Sequence, residues 1–417
     1  MWMSRVEGKR AGVLLGICLL AIANEQVADA RPSLGGPGSV EALEADDARP
    51  DQSHTGKDLL KEWKDYKTSL KDRTGFSWST DYTAYYFGSS GDFGPNEAGS
   101  GIFRLYGSWD LVGRGTENQG GLVYKVEHRH RYSESSPSSY SLDAGNVGVV
   151  GGPFSNNNLR LTNLYWKQKF CDGQGTFLFG YLDATDFVDV YALANPWTAF
   201  TNLAFSTGSS SIALPNDATF GLAAGYWLSD QVYVLGSMTD LNADPTDPFQ
   251  STEYFFTEHE YFKSIEFGWT TSQDRSYVNN VHLTFWHVDD VEAAGTPDGW
   301  GVNFSASYWI NDCWMPFFRA GYTEDGGSLL EASVSAGVGV NPIRGNDLLG
   351  IAVNWGKPNE DTFGPDLDDQ YAIEIFYRYQ LTENIAITPD IQWLIDPALN
   401  PEDDSLFLAG VRGRISF

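Results

Sequence analysis

From Gly75 onward, apolar and polar residues alternate along the chain. In FSWSTDYTAY, one face of an extended strand carries Phe76, Trp78, Tyr82 and Ala84, and the other carries Ser77, Ser79, Asp81 and Thr83. LVYKVEHRHRY sets Leu122, Tyr124 and Val126 against Lys125, Glu127, Arg129 and Arg131. LLEASVSAGVGV sets Leu330, Ala332, Val334, Ala336, Val338 and Val340 against Glu331, Ser333 and Ser335. YAIEIFYRYQ sets Tyr371, Ile373, Ile375, Tyr377 and Tyr379 against Glu374, Arg378 and Gln380. In the last stretch, FLAGVRGRISF, Phe407, Val411, Ile415 and Phe417 oppose Arg412 and Arg414. A period of two is the mark of a strand with one apolar face. A soluble sheet can turn that face to a core, and a membrane barrel can turn it to lipid.

The number and spacing of the segments separate these readings. Sixteen alternate in this way: 75–86, 101–112, 120–132, 159–170, 175–182, 218–228, 231–240, 260–271, 279–289, 299–310, 314–322, 329–340, 347–356, 369–380, 384–395 and 405–417. Most are about 10 residues long, enough for a tilted strand to cross a bilayer. Connections after odd segments are mostly long, such as 133–158 and 183–217, and those after even segments are mostly tight, such as 229–230 and 381–384. Long loops on one side and short turns on the other describe an outer-membrane barrel. The expected fold is therefore all-β, a transmembrane antiparallel β-barrel of about 16 strands over residues 75–417, closed so that no edge is left unpaired in hydrocarbon.

Three segments precede the barrel. Residues 1–30 read as a signal peptide: Arg5, Lys9 and Arg10, then the apolar run AGVLLGICLLAIA, then small residues at Ala28 and Ala30. Export with cleavage after Ala30 is expected, and an uncleaved anchor is the alternative. Residues 31–57 read as an acidic flexible linker without period. Residues 58–74 read as a short amphipathic helix, with Leu59, Trp63, Tyr66 and Leu70 on one stripe. Such a helix can brace or plug one mouth of a barrel.

Composition narrows the partners. The formal net charge of −28 argues against nucleic acid, which needs a basic surface. Cys171 and Cys313 fall in predicted turns six strands apart, too far around the rim to pair, so free thiols are expected. No cofactor and no metal site is expected. Asp-rich runs such as DLDD at 366–369 lack the spacing of a calcium loop, and no Ser, His or Walker-type catalytic motif occurs. Acids concentrated in the long loops make either a negative vestibule or a solvated surface bridged to lipopolysaccharide by divalent ions.

Several stretches resemble a known family. GLVYKVEHRHRY (121–132), GYLDATDFVDVYALANPWTAFTNLAFS (180–206), PDGWGVNFSASYWI (297–310), PFFRAGYTEDGGSLLEASVSAGVGV (316–340), DLLGIAVNWGKP (347–358) and the whole end from 381 are similar to the carbohydrate-selective porins of Gram-negative outer membranes, the OprB family. The resemblance runs from about residue 58 to the end and rests on matches in order. It implies a sixteen-stranded barrel with inward-folded loops that passes glucose-like sugars by diffusion, with no enzymatic activity. The implied partners are mono- and oligosaccharides, outer-membrane lipid and lipopolysaccharide, and the barrel-assembly machinery, which reads a terminal aromatic like Phe417. The resemblance leaves monomer and homo-oligomer both open.

A pore's function is a constriction whose width and lining choose the solute. Loop 183–217 is too long for a plain connection and carries Asp183, Asp186, Asp189 and Trp197 among its acids and aromatics. Sugars offer hydroxyls to charged groups and C–H faces to aromatic rings, so this loop is the first candidate for the constriction. Its aromatics can equally pack the loop on the wall. Lys125, Glu127, Arg129 and Arg131 are the second candidate, because a charge at the bilayer midplane costs roughly 2–4 kcal/mol and must turn inward. The family resemblance puts Glu127 and Arg129 near the pore waist. Arg412 and Arg414 face inward by the same parity, as a basic wall opposite the acidic loop or as its neutralising partners. A general, cation-leaning porin is the alternative function, suggested by the charge; a barrel enzyme or an adhesin is a more distant one.

Overall fold

The computed structural model describes residues 34–47, 54, 60–215, 218–242, 244–311, 313–342 and 347–417. The expected signal peptide lies outside them. Sixteen strands follow in order: β1 (Ser79–Ser89), β2 (Glu97–Val112), β3 (Gly120–Arg131), β4 (Asn158–Phe170), β5 (Gly175–Leu182), β6 (Thr219–Trp227), β7 (Val232–Asp240), β8 (Tyr261–Thr270), β9 (Asn280–Val288), β10 (Gly299–Ser307), β11 (Trp314–Asp325), β12 (Leu330–Val340), β13 (Leu348–Pro358), β14 (Gln370–Gln380), β15 (Ile385–Ile395) and β16 (Ser405–Ser416). Each strand pairs with its sequence neighbours, and β1 pairs antiparallel with β16 to close the barrel, from Asp81 opposite Ser416 to Ser89 opposite Leu408. Closure leaves no row of strand N–H and C=O groups without a neighbour.

The alternation sorts the two faces as expected. On β1, Asp81, Thr83, Tyr85 and Phe87 are buried inside while Tyr86 is exposed outside. On β16, Leu406, Leu408 and Arg412 turn inward, and Phe407, Val411 and Phe417 turn outward. The outer face carries Phe267, Ile351, Val353, Ile375, Ile387 and Ile391 at mid-height. Trp109, Trp269 and Trp314 ring the turn side, and Trp300, Tyr322, Tyr371 and Trp393 ring the loop side. An apolar band between two aromatic girdles is the outer surface of a membrane barrel.

Strand limits follow the expected segments closely. The first begins late, because Gly75, at φ 74°, caps the preceding helix and donates to Lys71 O. That helix, α2 (Lys61–Thr74), sits at the turn side over the β1–β16 seam, with α1 (Val40–Asp47) before it. Trp63 meets Trp78 edge-on at 5.2 Å, and Lys67 Nζ donates to Phe417 O at 2.7 Å. Cys171 is exposed and Cys313 buried in separate turns, with no disulfide between them.

Within the stretch expected to be an acidic linker, α1 lies inside the barrel with Leu34, Val40 and Leu43 buried. From sequence alone, VEALEADD falls in the acidic stretch 31–57 that shows no period and reads as a linker. Val40 and Leu43, three apart, mark the apolar stripe that lets it pack against Tyr165, Phe187 and Leu235. A Cβ at Gly225 on β6 would lie 1.8 Å from Leu34 Cδ1, so the wall makes room for this segment with a glycine.

Candidate functional site

The connection between β5 and β6 turns into the lumen, and its charged residues fix it to the wall. Asp183 caps a short turn by accepting from Thr185 N at 2.9 Å. Lys125 Nζ donates to both oxygens of Asp186, at 3.3 and 3.1 Å, and Asn163 Nδ2 donates to one of them at 3.2 Å. Burial, reinforced by Asp183 and opposed by Lys125, pushes the Asp186 carboxyl up to about 6.

Asp189 is the main anchor. It is fully buried with φ 50°, a left-handed backbone that only tertiary contacts hold for a non-glycine residue. Its carboxylate pairs with Arg319, lies 2.8 Å from His282 Nε2, and accepts from Gly208 N at 2.9 Å. Arg319 also donates to Asp189 O at 3.0 Å. Asp189 N donates to Glu266 Oε2 at 2.9 Å, and Glu266 accepts from Tyr233 and Thr284, both at 2.8 Å. Against the cost of burial, Arg319 and His282 hold the Asp189 carboxyl below the usual range. One loop residue is thus tied to β8, β9 and β11.

Further along, Glu374 on β14 accepts from the backbone N–H of Thr201 at 2.7 Å and of Asn202 at 2.9 Å. Phe200 meets Phe376 edge-on at 4.9 Å and Phe317 at 5.7 Å, and Tyr191 lies 5.1 Å from Phe317. These aromatics pack the loop on the wall. The β3–β4 connection, containing α3 (Pro137–Asp143), also turns inward, with Phe154 5.3 Å from Tyr85 and 5.6 Å from Trp197.

Trp197 is placed differently. The Arg104 guanidinium stacks on its ring at 3.9 Å, and Trp197 borders a small cleft of about 30 Å³ with Arg378, Gln380, Asn384, Arg412 and Arg414. Arg412 Nη1 donates to Pro196 O at 2.6 Å, which fixes the chain beside the tryptophan. Arg104 and Arg414 share Asp81, with Nε to carboxylate distances of 2.8 and 2.7 Å, and Arg414 reaches Asp47 of α1 at 3.1 Å. Trp197, Arg412 and Arg414, expected at the path from sequence, are therefore gathered at one cleft.

The remaining expected residues divide. Glu127 and Arg129 pair with each other at 2.7 Å and are buried. Arg131 does not join them: it ends β3 exposed on the loop side and donates to Glu134 O at 2.7 Å. Arg104, Arg319, His282 and Glu374 were not singled out from sequence. Strand parity could have found Arg104 and Arg319, since Phe103 and Phe318 beside them face out. Nothing local marked Glu374 as the acceptor of loop N–H groups.

A family model for carbohydrate-selective porins, the OprB family, matches residues 65–296 and 272–417. The chain belongs to this family. Porin AaxA of Chlamydia abortus is 24% identical to it over 328 residues, 74% of this chain and 68% of that one. The high-pH structure of Pseudomonas putida OprB superposes with a TM-score of 0.68 at 16% identity, covering 85% of this chain and 97% of that one. The low-pH structure gives 0.53 at 13% identity, with 88% and 100% covered. At those identities the two structures support the fold. The family and the closed barrel are those of outer-membrane channels.

Proposed function

We propose that this porin passes neutral sugars, glucose-like monosaccharides and short oligosaccharides, by diffusion into the periplasm of a Gram-negative bacterium. The observation that carries this reading is the match to the carbohydrate-selective family over residues 65–417, and the groups around the small cleft at Trp197 support it. An indole ring offers an apolar face to sugar C–H groups, while Arg378, Arg412, Gln380 and Asn384 around it offer donors and acceptors to hydroxyls. Because Arg104 already covers one face of the ring, the path is left its other face or its edge. The pairing of lumen charges supports the same reading. Lys125 with Asp186, Arg129 with Glu127 and Arg319 with Asp189 leave dipoles where unpaired charge would select an ion. This weighs against the cation-leaning alternative, whose warrant was the total charge, much of it in loops outside the lumen.

Uptake of labelled glucose by proteoliposomes tests the proposal. The wild type is expected to admit glucose with little dependence on membrane potential. W197A is expected to lower the uptake rate several-fold while its KCl conductance holds or rises. Glucose uptake equal to that of empty vesicles would refute it, and strong potassium selectivity without sugar uptake would favour the alternative.

A further inference from the structure

The segment 34–47 lies in the turn-side half of the lumen. Hydrogen bonds to its backbone hold it there: Gly36 N donates to Asp186 O at 2.6 Å, and the Asn195 side chain donates through Nδ2 to Pro37 O at 2.9 Å. The four carboxylates of its helix each meet a cation. Glu41 pairs with Lys167 and lies 4.0 Å from Lys169 on β4, and Glu44 lies 3.1 Å from Lys71 of α2. Asp46 lies 3.8 Å from Arg275 in the β8–β9 turn, and Asp47 lies 3.1 Å from Arg414 on β16 and accepts from Tyr106 at 2.5 Å. Between α1 and the wall of β2–β7 lies a chamber of about 530 Å³; Glu41 and Glu44 of α1 face it, and so do Lys71, Arg114, Lys167 and Lys169 against Asp72, Asp110 and Asp186.

Without α1, Lys71, Lys167, Lys169, Arg275 and Arg414 would lose four carboxylates and keep Asp72, Asp110 and Asp186 on the chamber wall and Asp274 near Lys169. Arg414 would still have Asp81, but Asp81 also serves Arg104. A ring of cations with low-dielectric walls concentrates anions. We propose that α1 is a selectivity insert: its four carboxylates neutralise a basic chamber on the turn side and convert an anion-favouring passage into one suited to neutral solutes. The choice of neutral sugar as the beneficiary rests on the function proposed above; the effect of α1 on ions does not.

The measurement is the reversal potential of the full-length porin in planar bilayers under a KCl gradient at low ionic strength, where screening is weakest. E41Q/E44Q/D46N/D47N keeps the helix volume and removes its charge. The permeability ratio of chloride to potassium is expected to rise several-fold, to shrink back as salt is raised, and to return toward the wild-type value when K167Q and K169Q are added. K167Q/K169Q alone, which leaves Glu41 without its lysines, is expected to shift the ratio toward potassium. This variant decides the question if the fourfold one does not assemble. An unchanged reversal potential in assembled channels of either kind overturns the proposal. A shift in ion preference in a channel that passes no glucose would uphold the role of α1 and refute the sugar reading, so the two fail separately.

Discussion

At the scale of single residues, parity tells which side chains meet in the lumen and leaves open whom they meet. Lys125 and Asp186 were both candidates from sequence, but their pairing depends on a loop fold that no local pattern encodes. The pair has a consequence for pH. Asp186 is held up to about 6, so its charge is lost as pH falls through that value, well before an ordinary carboxylate would protonate. With Lys125 and Asp183 beside it, the local sum moves one charge in the positive direction. Lowering pH from about 7.5 to about 5 is therefore expected to move ion preference toward anions. D186N is expected to show the anion-leaning state already at neutral pH and to lose most of this pH response. The reversal potential of the two proteins across that range checks it. An equal pH response in both would place the titrating group elsewhere. The inward arginines teach the same lesson, since Arg104 is legible as a lumen residue but its stacking on Trp197 is not.

At the scale of elements, the strands and the inward loop 183–217 were legible and the inserted helix α1 was not. A strand that faces lipid outside and water or packed polar groups inside must alternate, whatever its neighbours. The segments inside the lumen are judged by the cavity they fill, and α1 looked solvated because its acids find their cations only in the folded barrel. The inward loop is held in the same way, through polar contacts gathered at a few points. Asp189 is the densest of these, joining Arg319, His282 and Gly208 N and orienting its own N–H to Glu266. Breaking one side of a buried ion pair costs about 3–5 kcal/mol, because the other charge is left without compensation. The strand ladder does not depend on this contact, so the loss is expected to appear as local opening of the loop. D189N should assemble as a barrel, expose the 183–215 loop to protease added from the loop side, and show raised, flickering conductance. Protease resistance and steady currents equal to wild type would mean that Glu374 and the aromatic contacts suffice to hold the loop.

At the scale of the whole molecule, two solvents on opposite sides of one sheet explain a composition that suits neither a soluble protein nor a helical membrane protein. Among the described residues the acids lie mostly in loops, in the lumen and on the two helices before the barrel, while the outer band between the girdles stays apolar. The strongest test of this division is to place the same charge on either side of the barrel wall. Ile375, midway along β14, is 40% exposed on the outer face, and Glu374 beside it is fully buried inside. Lysine at Ile375 would have to hold an ammonium in the hydrocarbon centre or bend the lipid around it, at roughly 2–4 kcal/mol. Lysine at Thr388, an inward residue of β15 bordering the Trp197 cleft, would stay in the lumen. I375K is therefore expected to lower the folded fraction in a vesicle-folding titration and to do so more in thicker bilayers. T388K, which sets its ammonium opposite Arg412, is expected to lower folding by an amount that does not change with bilayer thickness and to alter conductance and sugar flux. Equal insensitivity of I375K to bilayer thickness would mean that the face carrying Ile375 does not meet lipid, for instance because a second copy of the barrel covers it. Crosslinking from a cysteine at Val353, on the outer face of the neighbouring β13, would then detect that copy directly.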